Sequence, residues 1–276
     1  VYINGKPADL TGTTVEQLLK TMQAERIERV ELITNPSARY EAAHSGAIID
    51  IRLRRDESMG LNGTASASYY LKTTGPAVEP SLSANYRSGR WNVYGSYGGN
   101  MGRYEHQYHN VSRYRTLDVP LEYTDHGVFR PSGILHNGSF GVDWYASDSH
   151  TFGFLARGGR YDGGNTNRTT TDIRRLGRTE VDSAIHAPLT MDIYNNNLTL
   201  DLNHVWTPTK QTRLSTDVIY AYADHNQEQQ MVLHYVAPDG RELRPREGKG
   251  HSVFQKTNVW LVKTDLEAPL PASVRL

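Results

Sequence analysis

From Gly60 onward polar and apolar residues alternate at every step, and a period of two marks a β-strand whose faces meet different surroundings. In LNGTASASYYLK, Leu61, Gly63, Ala65, Ala67, Tyr69 and Leu71 share one face, while Asn62, Thr64, Ser66, Ser68 and Lys72 share the other. The pattern returns as Leu82, Ala84 and Tyr86, as Phe140, Val142 and Trp144, and as Leu198, Leu200 and Leu202. Further strands are predicted to start near Trp91, Thr151, Arg213 and Asn258, giving roughly eight before a ninth opens at Ser273.

Tight turns are predicted at Ser88-Gly89, at Ser147-Asp148-Ser149, at Pro208-Thr209-Lys210 and near Pro269-Pro271. Between them lie a modest loop at 73–80 and, by this reading, long polar loops near 101–137, 163–194 and 224–254. Short and long connections alternate, which in an antiparallel meander puts all tight turns on one rim and all long loops on the other. That is the anatomy of an outer-membrane β-barrel. A soluble sandwich also alternates. Its core, however, wants bulk in mid-strand, whereas here the apolar faces are thin in Leu and Val, and Tyr69, Tyr86, Trp91, Trp144, Trp206 and Tyr222 fall near strand ends.

Composition narrows the choice. Mean hydropathy is −0.60, and no stretch approaches the roughly 18 apolar residues of a spanning helix. A barrel passes that test, because only every second residue of a strand meets lipid. Formal net charge is +0, so no basic footprint invites nucleic acid. With Cys 0, thiol catalysis, disulfides and thiolate metal sites are all excluded. No signal peptide is visible after Val1, so either one has been removed or the chain is an internal piece of a longer protein. Tyr 17 and Trp 4 against Phe 5 favours rings with a polar tip, which suit membrane–water boundaries and ligand-binding loops.

Residues 1–55 read differently. Asn4-Gly5 between extended residues signals a hairpin, and Thr13 with Glu16 forms a capping box ahead of the helical stripe Leu18, Leu19 and Met22. RIERVELIT is a charged strand, Asn35-Pro36 stops it, and GAIIDIRL begins another. The run RIERVELITNPSARYEAAHSGAIIDIRLRR resembles the end of the plug domain of TonB-dependent outer-membrane receptors. The matching residues are Ile27-Glu28, Val30-Glu31, Asn35-Pro36-Ser37-Ala38, Tyr40-Glu41-Ala42 and Gly46-Ala47-Ile48-Ile49-Asp50-Ile51. Asn35 with Arg39-Tyr40-Glu41 is similar to the branch abundant in Bacteroidota; Asp50 departs from the family's usual Asn. VYINGKP resembles an earlier plug strand.

The resemblance implies part of a small α/β plug domain at residues 1–57 and the N-terminal part of a transmembrane β-barrel at 58–276. The expected fold is an all-β membrane protein, an antiparallel transmembrane barrel fragment of roughly eight to nine strands behind that plug. Because the family's barrel has about 22 strands, the chain is expected to be an internal fragment. The implied partners are outer-membrane lipid, a TonB-type inner-membrane energy-coupling protein reached through a segment N-terminal to this chain, and a surface lipoprotein; no cofactor is implied.

No catalytic constellation stands out: Gly-x-Ser-x-Gly, His-Glu-x-x-His and an EF-hand loop are all missing, so no enzyme is expected. His106 and His109 have a spacing that could ligate a metal on a helix. A polar loop with Tyr104 and Tyr108 is the alternative setting, where Tyr104, His106, Tyr108 and His109 would either contact ligand or be plainly solvated. Glu28, Arg29 and Glu31 are expected to bridge plug and barrel, opposite lumen charges such as Arg87, Asp143, Arg157 or Asp201. Asn-x-Ser/Thr triplets at Asn110, Asn137, Asn167 and Asn197 arise wherever Asn alternates with Thr and carry no weight. The rival readings are a passive pore or surface adhesin and a soluble β-rich domain.

Overall fold

A computed structural model of the chain describes residues 2–3, 6–7, 27–34, 47–53, 59–72 and 75–269. Every regular element among them is a strand, and the strands form two sheets. The helix expected around Thr13 to Met22, the Asn35-Pro36 stop and the strand expected from Ser273 lie outside the described residues.

The smaller sheet has the order β2-β1-β4-β3, from β1 (Tyr2–Ile3), β2 (Lys6–Pro7), β3 (Ile27–Ile33) and β4 (Ile48–Leu53). β1 and β2 pair antiparallel on either side of Asn4-Gly5, as the hairpin signal predicts, and β1 runs parallel to β4. Tyr2, Ile3, Ile48 and Ile51 are its buried apolar residues.

The larger sheet is antiparallel and nine-stranded, in the order β13-β12-β11-β10-β9-β7-β6-β5 with β8 paired to β9. Its strands are β5 (Gly60–Lys72), β6 (Gly75–Ser88), β7 (Trp91–Arg103), β8 (His106–Tyr114), β9 (Leu121–Tyr145), β10 (His150–Arg175), β11 (Ser183–Thr209), β12 (Thr212–Val236) and β13 (Glu247–Glu267). The tight turns expected at Ser88-Gly89, 147–149 and 208–210 lie where the sequence puts them, with Gly89 at φ 53 supplying the left-handed residue between β6 and β7, while the turn expected near Pro269-Pro271 runs outside the described residues. Side-chain hydroxyls tie the others: Ser147 Oγ accepts from the His150 backbone N–H and Thr209 Oγ1 from that of Thr212.

The expectation of long polar loops near 101–137, 163–194 and 224–254 is wrong. Most of those residues extend the strands, so that β9 to β12 run 25, 26, 27 and 25 residues. At about 3.3 Å per residue each is roughly 80–90 Å long, far beyond the 9–11 residues that cross a bilayer. The connections that remain there are short, at 115–120, 176–182 and 237–246. In the β10 extension both faces are mostly polar, so the hydropathy alternation fades there although the backbone ladder continues unbroken from Leu121↔Arg175 to Tyr145↔Thr151; in β11, Ile185, Leu189, Met191 and Ile193 still alternate with polar neighbours. Across the sheet, β7 and β8 together cover β9, with a break at Tyr104-Glu105 where the Tyr104 N–H donates to the Pro131 carbonyl at 2.9 Å.

The two faces are unequally covered. Asn92, Asp201, Ile219, Ala221 and Ala223 are buried and share one face by register, while Leu61, Leu82, Phe140, Leu202 and Trp260 on the other are exposed. Side chains converge on a concave face and diverge on a convex one, so the first face is the inner one. Small residues permit that convergence. A Cβ on Gly133 would meet the Tyr161 ring at 2.7 Å, so only glycine lets the ring lie across the inner wall.

Candidate functional site: an apolar outer band and a polar inner wall

Pairing register converts the alternation into rows that run across the sheet. One outer row reads Leu61, Tyr86, Val93, Val142, Phe154, Leu202, Val218 and Val262, without a polar member. The next, toward the hairpin tips, is Gly63, Ala84, Gly95, Phe140, Ala156, Leu200, Tyr220 and Trp260, followed by a row that includes Ala65, Leu82, Tyr97 and Leu198. Leu82, Ala84, Phe140, Val142, Leu198, Leu200 and Leu202 thus share the outer face, as the periodicity predicts.

The band has sharp limits. On the tight-turn side it closes in stacked rings: Trp91 on Trp144 at 5.7 Å, Trp144 on Phe152 at 5.6 Å and Phe152 on His204 at 4.5 Å. Beyond that girdle His150 stacks on Trp206 at 6.0 Å. On the other side the outer row changes abruptly to His136, Arg160, Asn196, Asp224 and Lys256. Along β11 the outward residues Leu198, Leu200 and Leu202, the girdle's His204 and Trp206 beyond it span about 30 Å of strand at about 3.3 Å per residue. Tilted by about 40°, that is a band about 23 Å tall, close to the roughly 25 Å apolar belt of membrane barrels. A packed soluble core would bury these side chains, yet Leu202 is 58% and Trp260 71% exposed.

The inner wall behind the band is polar. Ser96 and Ser139 hydroxyls bond at 2.6 Å, Thr64 and Ser83 at 2.9 Å, and Asn92 donates to Asp143 at 3.4 Å. Asp201 is fully buried there, in electrostatic contact with Arg157. Among the charges expected to face the plug, Arg87 lies over the Tyr145 ring at 5.0 Å.

The expected ligand quartet divides. On β8, Tyr108 and His106 face inward: Tyr108 Oη donates to Asn167 Oδ1 at 3.2 Å and shares a hydrogen bond with Thr169, and His106 stacks on Phe129 at 6.2 Å. Tyr104 points inward too, donating to Asn100 at 3.5 Å. His109 faces outward, stacked on His126 at 6.4 Å. His106 and His109 therefore stand on opposite faces and do not converge on a metal, because residues an odd number apart on a strand diverge. The helical setting that would have joined them is replaced by β8. No group of three or more His, Asp or Glu that could hold a metal occurs among the described residues.

Sequence reasoning missed a histidine row on the outer face, where His109, His126, Thr170, His186 and His234 are linked by register. Its signal lay in pairing, which composition does not reveal. His186 Nδ1 lies 3.0 Å from Thr170 Oγ1, and His234 Nε2 lies 3.2 Å from Glu242.

Glu28, Arg29 and Glu31 sit on β3. Arg29 contacts Glu28 at 2.6 Å and Glu31 at 2.7 Å, and Arg52 joins Glu31 and the buried Asp50, each at 3.0 Å. Hydrogen bonds from Arg29 and Arg52 hold the Glu31 carboxyl below the usual carboxylate range. These ion pairs lie within the small sheet.

No family model matches the chain, and no curated protein aligns with it. Among solved structures, it is similar to one titled "Crystal structure of ferric citrate transporter FecA in the unliganded form", with TM-score 0.36 and 10% sequence identity. That match covers 97% of this chain and 45% of the other, so the chain spans less than half the length of that structure.

Proposed function

We infer that the nine-stranded sheet is part of an outer-membrane β-barrel, and that the whole protein is a TonB-dependent receptor importing a ligand from outside. The observation that carries the membrane reading is the outer band: unbroken apolar rows, an aromatic girdle and a height matched to a bilayer. The plug-like sequence of residues 1–57 supports energised import over a passive pore or adhesin, because a plug closes the lumen to free diffusion. On this reading the boundary between plug and barrel falls near residue 58. The charged strand β3 faces lumen groups across hydrogen bonds and water, a contact that shifts without large apolar loss. A TonB-type inner-membrane protein pulls on the plug, and lipid and a surface lipoprotein are the remaining partners.

Planar-bilayer conductance of the full-length protein tests the reading. Deleting residues 1–55 should convert a closed channel to an open one and abolish energy-dependent uptake while membrane insertion persists. An intact protein that already conducts like an open pore, with no gain on deletion, favours the passive barrel.

A further inference from the structure

The nine-stranded sheet ends in a step. β5 and β7 end at Lys72 and Arg103 and β6 begins at Gly75, whereas β8 to β12 carry on past that level. β7 and β8 meet β9 in one register, from Trp91↔Trp144 to Arg103↔Ser132 and then from His106↔Phe129 to Tyr114↔Leu121. Above the step β8 is therefore the border strand. It pairs with β9, and no strand among the described residues pairs with its other edge. That edge is 9 residues long, about 30 Å at about 3.3 Å per residue.

Register tells which backbone groups line it. Along an antiparallel ladder, a residue that exchanges both hydrogen bonds with its partner alternates with one that exchanges none. The Tyr145 N–H donates to the Arg90 carbonyl and the Tyr104 N–H to the Pro131 carbonyl, each at 2.9 Å, so the even-numbered residues of β7 and β8 bond β9. The N–H and C=O groups of Gln107, His109, Val111 and Arg113 consequently point away from β9, along the open edge. Such an edge is normally blunted by Pro, Lys, a bulge or brevity. HQYHNVSRY contains neither Pro nor Lys, and its register runs without a shift. Arg113 reaches back to Glu122 on β9 at 2.8 Å and so does not guard the edge. A strand that closes the sheet beside β5 stands three strand spacings from β8, roughly 14 Å, too far to hydrogen-bond these groups.

We propose that the open edge of β8 docks an extended, acidic polypeptide strand of a partner protein, which adds to the sheet through main-chain hydrogen bonds. A row of unpaired amide donors and carbonyl acceptors at strand spacing is matched by another extended backbone. The side chains set its charge. β8 carries Arg113, His106 and His109 but no Asp or Glu, so a strand bearing carboxylates meets no like charge there, while one bearing Lys does. The contact adds to the wall and holds no cargo across the lumen. It rests on the barrel reading only for placing the edge clear of the membrane, and docking is measured independently of insertion and transport.

The test uses the full-length protein in detergent and two labelled peptides of the length of β8, one alternating Thr with Glu and the other Thr with Lys. By fluorescence anisotropy the Glu peptide should bind, and the Lys peptide should bind more weakly by about tenfold. Val111→Pro removes an N–H from the open edge without touching the ladder to β9, and should abolish binding. An unchanged heat-modifiability shift on a gel verifies that this variant folds. Amide hydrogen exchange is the second readout. Without peptide, His109 and Val111 should exchange fast and Tyr108 and Asn110 slowly, and the Glu peptide should slow the first pair. Equal protection of both pairs in the peptide-free protein means that its own chain or a second copy already covers the edge, and overturns the proposal. Failure of the Glu peptide to bind, equal binding of the two peptides, or binding that persists in Val111→Pro overturns it too. Docking by a protein that fails the conductance test leaves this proposal standing and removes the importer reading alone.

Discussion

Residues 136–144 and 122–134 belong to one strand, β9, in one continuous register with β10, yet they are built for different surroundings. In the first stretch the outward residues include Phe140, Val142 and Trp144; in the second they include Glu122, His126 and Arg130. The inward residues differ far less, with Ser139 in the first and Thr169-facing Gly127 in the second. On the proposed reading, what changes along the strand is the solvent of the outer face, from hydrocarbon to water. Backbone pairing sets the fold of both regions, and alternate side chains set which of them presents the apolar band.

The largest way to break this comparison is to shift parity. Deleting Gly158, at the border between the regions, slides one part of β10 by a residue and turns its outward side chains inward. Loss of the heat-modifiable folded form is expected, whereas deleting one residue from the 176–182 connection should be tolerated. Next comes a charge in the band. Leu202→Arg should cost about 2–4 kcal/mol in a urea titration, the range for a cation on a barrel's lipid face. Asn203→Arg, its neighbour on the inner face and directly paired with Asp217, should cost far less. Equal costs would deny that the faces differ.

Removing residues 165–173 together with 183–191 takes away paired lengths of β10 and β11 and leaves Gly164 opposite Asp192. Membrane assembly should survive, because the band is untouched, and an unchanged heat-modifiability shift would show it. The smallest effect is electrostatic. Arg130, with help from Gln107, holds the exposed Glu105 carboxyl below the usual carboxylate range. A lowered folded value means the contribution is present at neutral pH and lost as pH falls through that value. In Arg130→Gln the Glu105 titration should move back up toward the usual carboxylate range, read by NMR. An unmoved titration would discard the pair.

The band was legible in the sequence because the two faces of these strands carry opposite chemistry on neighbouring residues. Leu198, Leu200 and Leu202 announce a face by themselves. The extension of β10 was not legible, since NRTTTDIRR is polar on both sides and nothing in its hydropathy separates a strand from a loop. Only its ladder to residues of β9 and β11 makes it a strand, and that information is non-local. The same misreading blurred the candidate site. Once 106–114 is a strand, the adjacency of Tyr108 and His109 alone puts them on opposite faces.

The most direct test of the membrane band uses the tryptophans as depth markers in the full-length protein. Trp91, Trp144 and Trp206 mark its tight-turn border, while Trp260 sits in the row of Leu200 and Tyr220, farther into the band. In vesicles of lipids brominated at a shallow or a deep acyl position, single-tryptophan variants should be quenched differently. Trp144 should respond most to the shallow bromine and Trp260 to the deep one. Quenching of all by aqueous acrylamide, with no response to either brominated lipid, would contradict the account.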